Sequence, residues 1–209
     1  MRPGWADFVF AFHDGEEIGP RMLARIARHT GLRPEDLQPP HRNPRKGNAP
    51  AMNEDRAFLR HTLATLAYRG GKATRGADTG FGTFLVSPSS RTPIQVLTHI
   101  GDLLDWGLRI AQGQPSWTEA TPGSWDFEVQ RFHRALQALD AYIASDAPLS
   151  GSAEKLFQGP IADALTHVGQ IAMLRRVAGD PIKGESYYRA EIEAGRVGAE
   201  QVSAKTEFE

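Results

Sequence analysis

The sequence predicts an all-α protein. Three segments, which begin near residues 54, 92 and 124, repeat apolar residues at spacings of three and four. A fourth segment, 160–178, is apolar enough to be a buried helix and is followed by Gly179. No stretch of the chain shows a strand-turn-strand pattern of alternating apolar and polar residues. Together these observations favour a four-helix bundle, in which each helix buries one face against its neighbours.

The first 51 residues differ in character from the rest of the chain. Residues 33–51 read RPEDLQPPHRNPRKGNAPA, which is dense in proline and charge and is typical of a linker. We therefore expect an N-terminal extension or linker over residues 1–51, mobile or disordered, and a functional domain over residues 52–209. An over-long assignment of the start codon is the alternative explanation for the extension.

The first two predicted helices are separated by a loop rich in glycine and serine. The first covers residues 54–75, and its recurring stripe consists of Phe58, Leu59, Thr62, Leu63, Leu66 and Ala67. The second begins after Thr92, which is a favourable N-cap residue, and has Pro93 at its first position. This helix is expected to end near Gly113, since glycine commonly follows the last helical turn.

The third and fourth predicted helices complete the bundle. Ser124 can cap the third, whose apolar positions alternate by four and three: Trp125, Val129, Phe132, Leu136, Leu139 and Ile143. Residues 146–155 read as a turn-rich connection to the fourth helix, which is expected to start at Pro160. The tail after Gly179 is polar, and we expect it to pack on the bundle as irregular structure or short helices.

Composition excludes several classes of protein. The 24 Lys and Arg residues nearly balance the 25 Asp and Glu residues, so no nucleic-acid-binding face is indicated. The chain has no Cys, which rules out disulfides, thiolate metal sites and a Cys nucleophile, and favours a reducing cytoplasm. No apolar stretch is long enough to span a membrane. We therefore expect a cytoplasmic protein.

The fourth helix carries an acid and an imidazole four residues apart, Asp163 and His167. This spacing places both side chains on one helical face, one turn apart. They share a stripe with Gln170 and Leu174, opposite an apolar stripe made of Ile161, Leu165, Val168 and Ala172. Because this helix is apolar on more than one side, the pair has no obvious solvent face. The two groups can form a hydrogen-bonded pair, stand in solvent or bind a metal.

The second helix contributes a further imidazole, His99, at the edge of its apolar face. Asp102 follows by three residues and could orient the ring of His99. Facing Asp163 and His167, this histidine would complete a set of two nitrogens and one oxygen. Such a set suits Zn, Ni or Fe(II) and leaves positions open for water or substrate.

Two other histidines are weaker candidates. His61 shares a half-polar helix face with Thr65, Tyr68 and Lys72, and it is a minor candidate for lining the pocket. His133 lies beside the apolar stripe of the third helix, and we expect it at the surface or rim of the protein. Neither is expected to bind the metal.

Three segments together resemble the DinB/YfiT-like superfamily. They are LAYR (66–69), RTPIQVLTHIGDLLDW (91–106) and GPIADALTHVGQIAMLRR (159–176), in the order and spacing of that family. The resemblance covers about residues 53 to 180. It implies a four-helix bundle, often dimeric, with a divalent metal in a pocket at one end.

The resemblance also implies the ligands. Members usually take one His from the second helix and an H-x3-H pair from the fourth. By position, these are His99, Asp163 and His167, so this chain departs from the commonest pattern at Asp163. Because a carboxylate can also ligate, the departure leaves the site possible but makes the ion's identity less certain. The implied cofactor is a divalent metal, with Zn or Ni first and Fe second.

Relatives in this superfamily include metal-dependent thiol transferases. The resemblance therefore implies a metal-dependent thiol S-transferase or hydrolase whose substrate is a small molecule, such as a low-molecular-weight thiol, and a homodimeric state. Asp102 and Gln170 would support the ligands, and Tyr68 or Arg69 would reach the substrate. The alternative for Tyr68 and Arg69 is that they tie the first helix to a neighbour. The alternative function is a non-catalytic or stress-related bundle that acts as a binding module.

Overall fold

The computed structural model of the chain describes residues 48–208 and the single position 24, with side chains from residue 54 onward in the longer range. The chain divides into two units at the junction of Asn48 and Ala49. The extension predicted for residues 1–51 lies almost wholly outside the described residues. The account that follows concerns residues 48–208.

The described residues are mainly helical, in agreement with the all-α prediction. Four long helices are α1 (Asn48–Thr74), α2 (Pro93–Ala111), α3 (Trp125–Ala144) and α5 (Ala162–Val177), with a short helix α4 (Ala153–Leu156) before the last. A 3-10 turn, Phe81–Thr83, interrupts the loop between α1 and α2. None of the described helices combines the length and apolar character that crossing a membrane requires.

The starts of α2 and α3 are set by local capping, as the sequence predicts. The hydroxyl of Thr92 accepts the backbone N–H of Gln95, and the side-chain oxygen of Gln95 accepts the backbone N–H of Thr92. This reciprocal pair satisfies two N–H groups that a helix start leaves without partners. Ser124 accepts the N–H of Phe127 in the same way at the start of α3.

The last helical segment begins earlier than predicted. Ser152 caps α4, so residues 153–155 are helical and do not belong to the turn-rich connection assigned to them from sequence. Between α4 and α5 the chain forms a π-helical turn, Phe157–Ile161, that contains Pro160. Proline has no backbone N–H and breaks the regular hydrogen-bond ladder. A single π-helical turn lets the helix continue past such a break.

Helices α2 and α3 run in the same direction. A Cβ built on Gly101 would lie 2.9 Å from the guanidinium of Arg131, and one on Gly107 would lie 3.4 Å from Leu139. The contact that lies later in α2 also lies later in α3, so the two helices are parallel. The loop over residues 112–124 must return along the length of α2 before α3 can begin.

Helix α1 runs opposite to α3. Near one end Arg60 forms an ion pair of 3.0 Å with Asp140, and near the other the backbone of Gly70 lies against the ring of Phe132. Phe132 is among the largest fully buried side chains of the core that the long helices share. The absence of a side chain at Gly70 is what lets the two helices approach each other there.

The buried face of α5 differs from the predicted stripe. Its buried positions are Ala164, Val168, Ile171 and Arg175, whereas Leu165 and Ala172 are only partly buried. The buried guanidinium of Arg175 donates to the backbone oxygens of Arg75 and Gly76 and pairs with Asp180, so it clamps the end of α1 to α5. Asp163 is exposed and His167 is only partly buried, so the expectation that this pair has no obvious solvent face was wrong.

The tail contains strands that were not predicted. Gly184–Glu185 (β1) pairs antiparallel with Glu207–Phe208 (β2), and a 3-10 turn covers Tyr187–Arg189. The buried carboxylate of Glu185 accepts from the hydroxyl of Tyr68 at 2.6 Å and from Lys72 at 2.8 Å. Strands of two residues are too short to give an alternating pattern, which is why the sequence did not indicate them.

Gly70→Ala is expected to destabilise the protein. Its Cβ would lie 2.4 Å from Cζ of Phe132, whose ring is buried and cannot move away freely. We expect a loss of roughly 1–3 kcal/mol in the free energy of unfolding, measured by urea denaturation. Gly169→Ala is the matched control, since its Cβ meets nothing within 4 Å. It should stabilise α5 by up to about 1 kcal/mol. Equal effects at both positions would contradict the packing described for Gly70.

Candidate metal centre

The structure brings the three predicted ligands together. His99 comes from α2, and Asp163 and His167 come from the first two turns of α5. One ligand atom from each residue, a ring nitrogen or a carboxylate oxygen, lies within 4.8 Å of the other two. Such a group of donors could hold a metal ion.

The approach of α5 to α2 depends on a glycine. A Cβ on Gly107 would lie 3.2 Å from Pro160, so the bare backbone of α2 lets the π-helical turn pack closely against it. Two turns earlier along α2, the ring of His99 lies 4.8 Å from that of His167, centroid to centroid. The contacts run in opposite directions along the two helices, which are therefore antiparallel. This register brings the start of α5 alongside His99.

His167 is held by a partner on each side of its ring. Nδ1 lies 3.0 Å from the side-chain oxygen of Gln170, and Nε2 lies 3.4 Å from a carboxylate oxygen of Asp163. An amide oxygen can only accept, so Nδ1 carries the proton in this bond. In the neutral ring Nε2 is then the nitrogen with the free lone pair, and it is the one that faces the other two donors.

His99 is available as a ligand. Among the described residues its ring nitrogens make no hydrogen bond, and its neighbours are the rings of His167 and Trp117. Burial lowers the pKa of His99, the nearby His167 and Arg91 lower it further, and Asp163 opposes them. A lowered pKa favours the neutral imidazole, which is the form that binds metals.

The donor set fits a divalent ion after a small adjustment. Two ligand atoms held tetrahedrally at about 2.1 Å from one ion lie about 3.4 Å apart. Nε2 of His167 and the Asp163 oxygen already have this separation, at 3.4 Å. The widest pair, at no more than 4.8 Å, would have to close by about 1.4 Å at most. The Asp163 side chain is 49% exposed, so it can move toward an ion without disturbing the core.

A cavity of about 210 Å³ adjoins His99. Its wall combines the first turns of α2 with the returning loop over residues 112–124. The residues that line it are Arg91, Gln95, Thr98, His99, Asp102, Glu119, Ala120 and Pro122. His99 belongs both to this wall and to the donor cluster, so a molecule in the cavity would have the cluster within reach.

Asp102 lines the cavity but holds other partners. One carboxylate oxygen accepts from Arg131 at 2.5 Å, and the other accepts the backbone N–H of Ala120 at 3.2 Å. In the described part of the chain, Asp102 forms no hydrogen bond with His99. The buried Asp102 therefore anchors the returning loop to α2 and pairs with α3, and it acts on His99 only through its charge, which raises the pKa of that imidazole.

The remaining supporting residues divide into two groups. Gln170 lies against His167, where the sequence placed it. Tyr68 and Arg69 contact the C-terminal segment: the hydroxyl of Tyr68 binds Glu185, and the guanidinium of Arg69 lies 4.5 Å from the centre of the Tyr187 ring. This is the arrangement given above as the alternative for these two residues, and neither lines the cavity beside His99.

His133 is buried, contrary to the expectation of a surface or rim position. It is 7% exposed, and Nδ1 lies 3.3 Å from the backbone oxygen of Val197. The C-terminal segment covers this face of α3, which the periodicity of the helix alone could not reveal. His61 is exposed on α1 and does not belong to the donor cluster.

Sequence reasoning did not identify three residues around the site. Trp117 lies in the returning loop with its ring 5.7 Å from that of His99 and 5.8 Å from that of Trp106. Arg91 and Glu119 line the cavity. Trp117 had a signal, since a tryptophan in a polar loop needs an apolar surface to cover. Arg91 and Glu119 are ordinary loop residues by sequence, and nothing in the sequence pattern indicated a role for them at the site.

Comparison of this chain with models of protein families, with curated proteins and with solved structures finds no match. The function is therefore inferred from the residues and geometry of this chain and from the resemblance described above. The comparisons leave the resemblance to the DinB/YfiT-like superfamily as a hypothesis.

The pKa of His99 should respond in opposite directions to its two neighbours on α5. In the metal-free protein, Asp163→Asn removes a negative charge that favours the imidazolium, so the pKa of His99 should fall further below its ordinary value of 6.5. His167→Ala removes a neighbour that lowers the pKa of His99 electrostatically and also reduces the burial of His99, so this pKa should rise. NMR titration of the His99 ring protons measures both changes. Shifts of the same sign would show that the three groups do not face one another.

His133 should make the folded state less stable at low pH. Burial lowers its pKa below the ordinary 6.5, so the unfolded chain binds a proton that the folded chain resists. This contribution is complete above about pH 6.5 and is lost as pH falls toward the pKa of the folded state. Urea denaturation from pH 8 to pH 5 should therefore show a weaker pH dependence for His133→Gln than for wild type. His61→Gln, on the exposed face of α1, should leave the dependence unchanged.

Proposed function

We propose that this chain binds one divalent metal ion through His99, Asp163 and His167. The observation that supports the proposal is the meeting of three donor atoms from two helices within 4.8 Å. The hydrogen bond between Nδ1 of His167 and Gln170 adds to it, because it orients the ring with Nε2 toward Asp163. A site that recruited only Asp163 and His167, neighbours on one helix, would need no such register between α2 and α5.

The donor set favours Zn or Ni, with Fe as the next choice. Two imidazole nitrogens and one carboxylate oxygen are intermediate ligands, and the cluster contains no thiolate. Three protein ligands leave at least one coordination position free for water or substrate, as in catalytic zinc sites. The cavity beside His99 gives a small molecule access to that position.

We propose further that the protein is a DinB/YfiT-like, metal-dependent thiol S-transferase or hydrolase. Its mainly helical structure and the positions of His99 in α2 and His167 in α5 are compatible with this type. When bound, the ion would supply Lewis acidity that lowers the pKa of a thiol or polarises an electrophile. The chain itself would orient the ring of His167 through Gln170, hold substrate in the cavity and limit water through Trp117.

A binding module without a metal is the second candidate. Asp163 is half exposed and lies 3.4 Å from His167 at helical spacing, as ordinary surface pairs do. In that case the pair needs no ion, and the protein would act by contact with another molecule.

Metal content distinguishes the two candidates. Protein purified without a nickel column or chelator should contain about one ion per chain by ICP-MS, and His99→Ala, Asp163→Ala and His167→Ala should each lose most of it. Each substitution removes one of only three protein ligands. His61→Ala, an exposed histidine outside the cluster, is the matched control and should keep its metal.

Circular dichroism of each variant shows whether loss of metal reflects loss of fold. No metal in the wild type after dialysis against Zn and Ni would reject the metal centre and favour the binding module. Retention of metal by all three variants would place the ion elsewhere.

A further inference from the structure

The cavity beside His99 is sized for a very small ligand. Its volume of about 210 Å³ would hold about seven waters at about 30 Å³ each. A molecule of similar volume has between six and ten non-hydrogen atoms by the same measure, roughly the size of a free amino acid. Because the cavity is open to solvent, its volume limits only the part of a ligand that lies inside it, and the charges on its wall are the main guide to that part.

Two opposite charges on this wall have no partner in the described part of the chain. Arg91 immediately precedes the N-cap of α2, and Glu119 belongs to the returning loop. Both are exposed, and neither forms an ion pair with the other or with any described residue. The third charged group on the wall, Asp102, is neutralised by Arg131 at 2.5 Å. The cavity therefore presents one uncommitted cation and one uncommitted anion.

The position of Arg91 is unfavourable for a metal centre by itself. Arg91 lines the same small cavity as His99, so its positive charge lies close to that imidazole. The same charge repels a cation bound to His99, so Arg91 weakens metal binding unless an anion lies between them. A ligand with a carboxylate beside Arg91 would remove this repulsion.

The neutral polar groups of the cavity wall also divide into a free donor near Arg91 and a free acceptor. The side-chain oxygen of Gln95 is used in the helix cap, which leaves its amide N–H₂ free to donate. The hydroxyl of Thr98 donates to the backbone of Ile94, which leaves its oxygen free to accept. Free donors thus lie with Arg91 near the start of α2, and the free acceptors are Glu119 and Thr98.

We propose that this cavity binds a small zwitterion of the α-amino-acid class, with its carboxylate at Arg91 and Gln95 and its ammonium group at Glu119. The remaining substituent then points toward His99 and the donor cluster. This inference deepens the proposed function, on which it rests, by naming the head group of the substrate. A thiol substrate of that function would accordingly carry a cysteine-like head group.

Three probes that differ only in the charged groups of the head group test the assignment. They are L-cysteine, which is a zwitterion, cysteamine, which lacks the carboxylate, and 3-mercaptopropionate, which lacks the amine. Binding is measured on the metal-free protein by the amide NMR shifts of Thr98 and Ala120, so that chelation of a metal by the probes plays no part. Cysteine should bind about tenfold more tightly than either singly charged probe, since each lacks one charge-assisted contact.

The variants assign each contact. Arg91→Gln should abolish the preference for cysteine over cysteamine, and Glu119→Gln should abolish the preference for cysteine over 3-mercaptopropionate. Arg176→Gln is the matched control, because it removes an exposed arginine of α5 that does not line the cavity. Arg91→Gln should also bind zinc more tightly than wild type, whereas a merely structural role for Arg91 would not change zinc affinity in this direction.

The outcomes separate this inference from the proposed function. Equal binding of the three probes, no binding of any, or a preference that survives Arg91→Gln would overturn the zwitterion site. If such a result came with about one metal ion per chain, the metal centre would stand and only the head group would be wrong. The expected preference in a protein that binds no metal would support the cavity and reject the metal centre.

Discussion

The close contact between α2 and the π-helical turn is the constraint on which the site depends. Gly107 has no side chain, so Pro160 packs directly on the backbone of α2 and the two helices approach closely. The same contact sets the register that places His99 opposite His167, two turns away. A side chain at Gly107 would separate the helices and draw the nitrogens apart. The chemistry of three donors thus depends on a glycine that takes no part in it.

The charges around the site form an ordered arrangement. Arg131, from α3, pairs with the buried Asp102 and with Asp105, so the acids of α2 are neutralised from one side. Asp102 also holds the returning loop through Ala120, and this loop places Trp117 over His99. Among the described residues that line the cavity, Arg91 and Glu119 are charged and form no ion pair. A cavity whose wall carries one unpaired cation and one unpaired anion can recognise a small molecule that carries both charges.

The C-terminal segment explains why Tyr68 and His133, whose side chains could act in catalysis, have structural roles. Glu185 of β1 binds both Tyr68 and Lys72, and these two bonds attach the tail to α1. Desolvation and the Glu185 carboxylate raise the pKa of Tyr68, so its hydroxyl stays protonated and keeps donating. Further along, Val197 covers His133. An aromatic hydroxyl or an imidazole on a helix is therefore no sign of chemistry until the covering segment is known.

By itself, the sequence determined the mainly helical character, the caps at Thr92 and Ser124, and the one-turn spacing of Asp163 and His167. These features depend on residues within one or two turns of each other, so local physics decides them. The meeting of His99 with that pair was predicted and agrees with the geometry, but the tertiary structure alone decided the Gly107 contact, the burial of His133 and the strands of the tail. It also brought Arg91 and Glu119 to one cavity. Each of these depends on groups far apart in the chain, whose approach is set by packing and not by any local pattern.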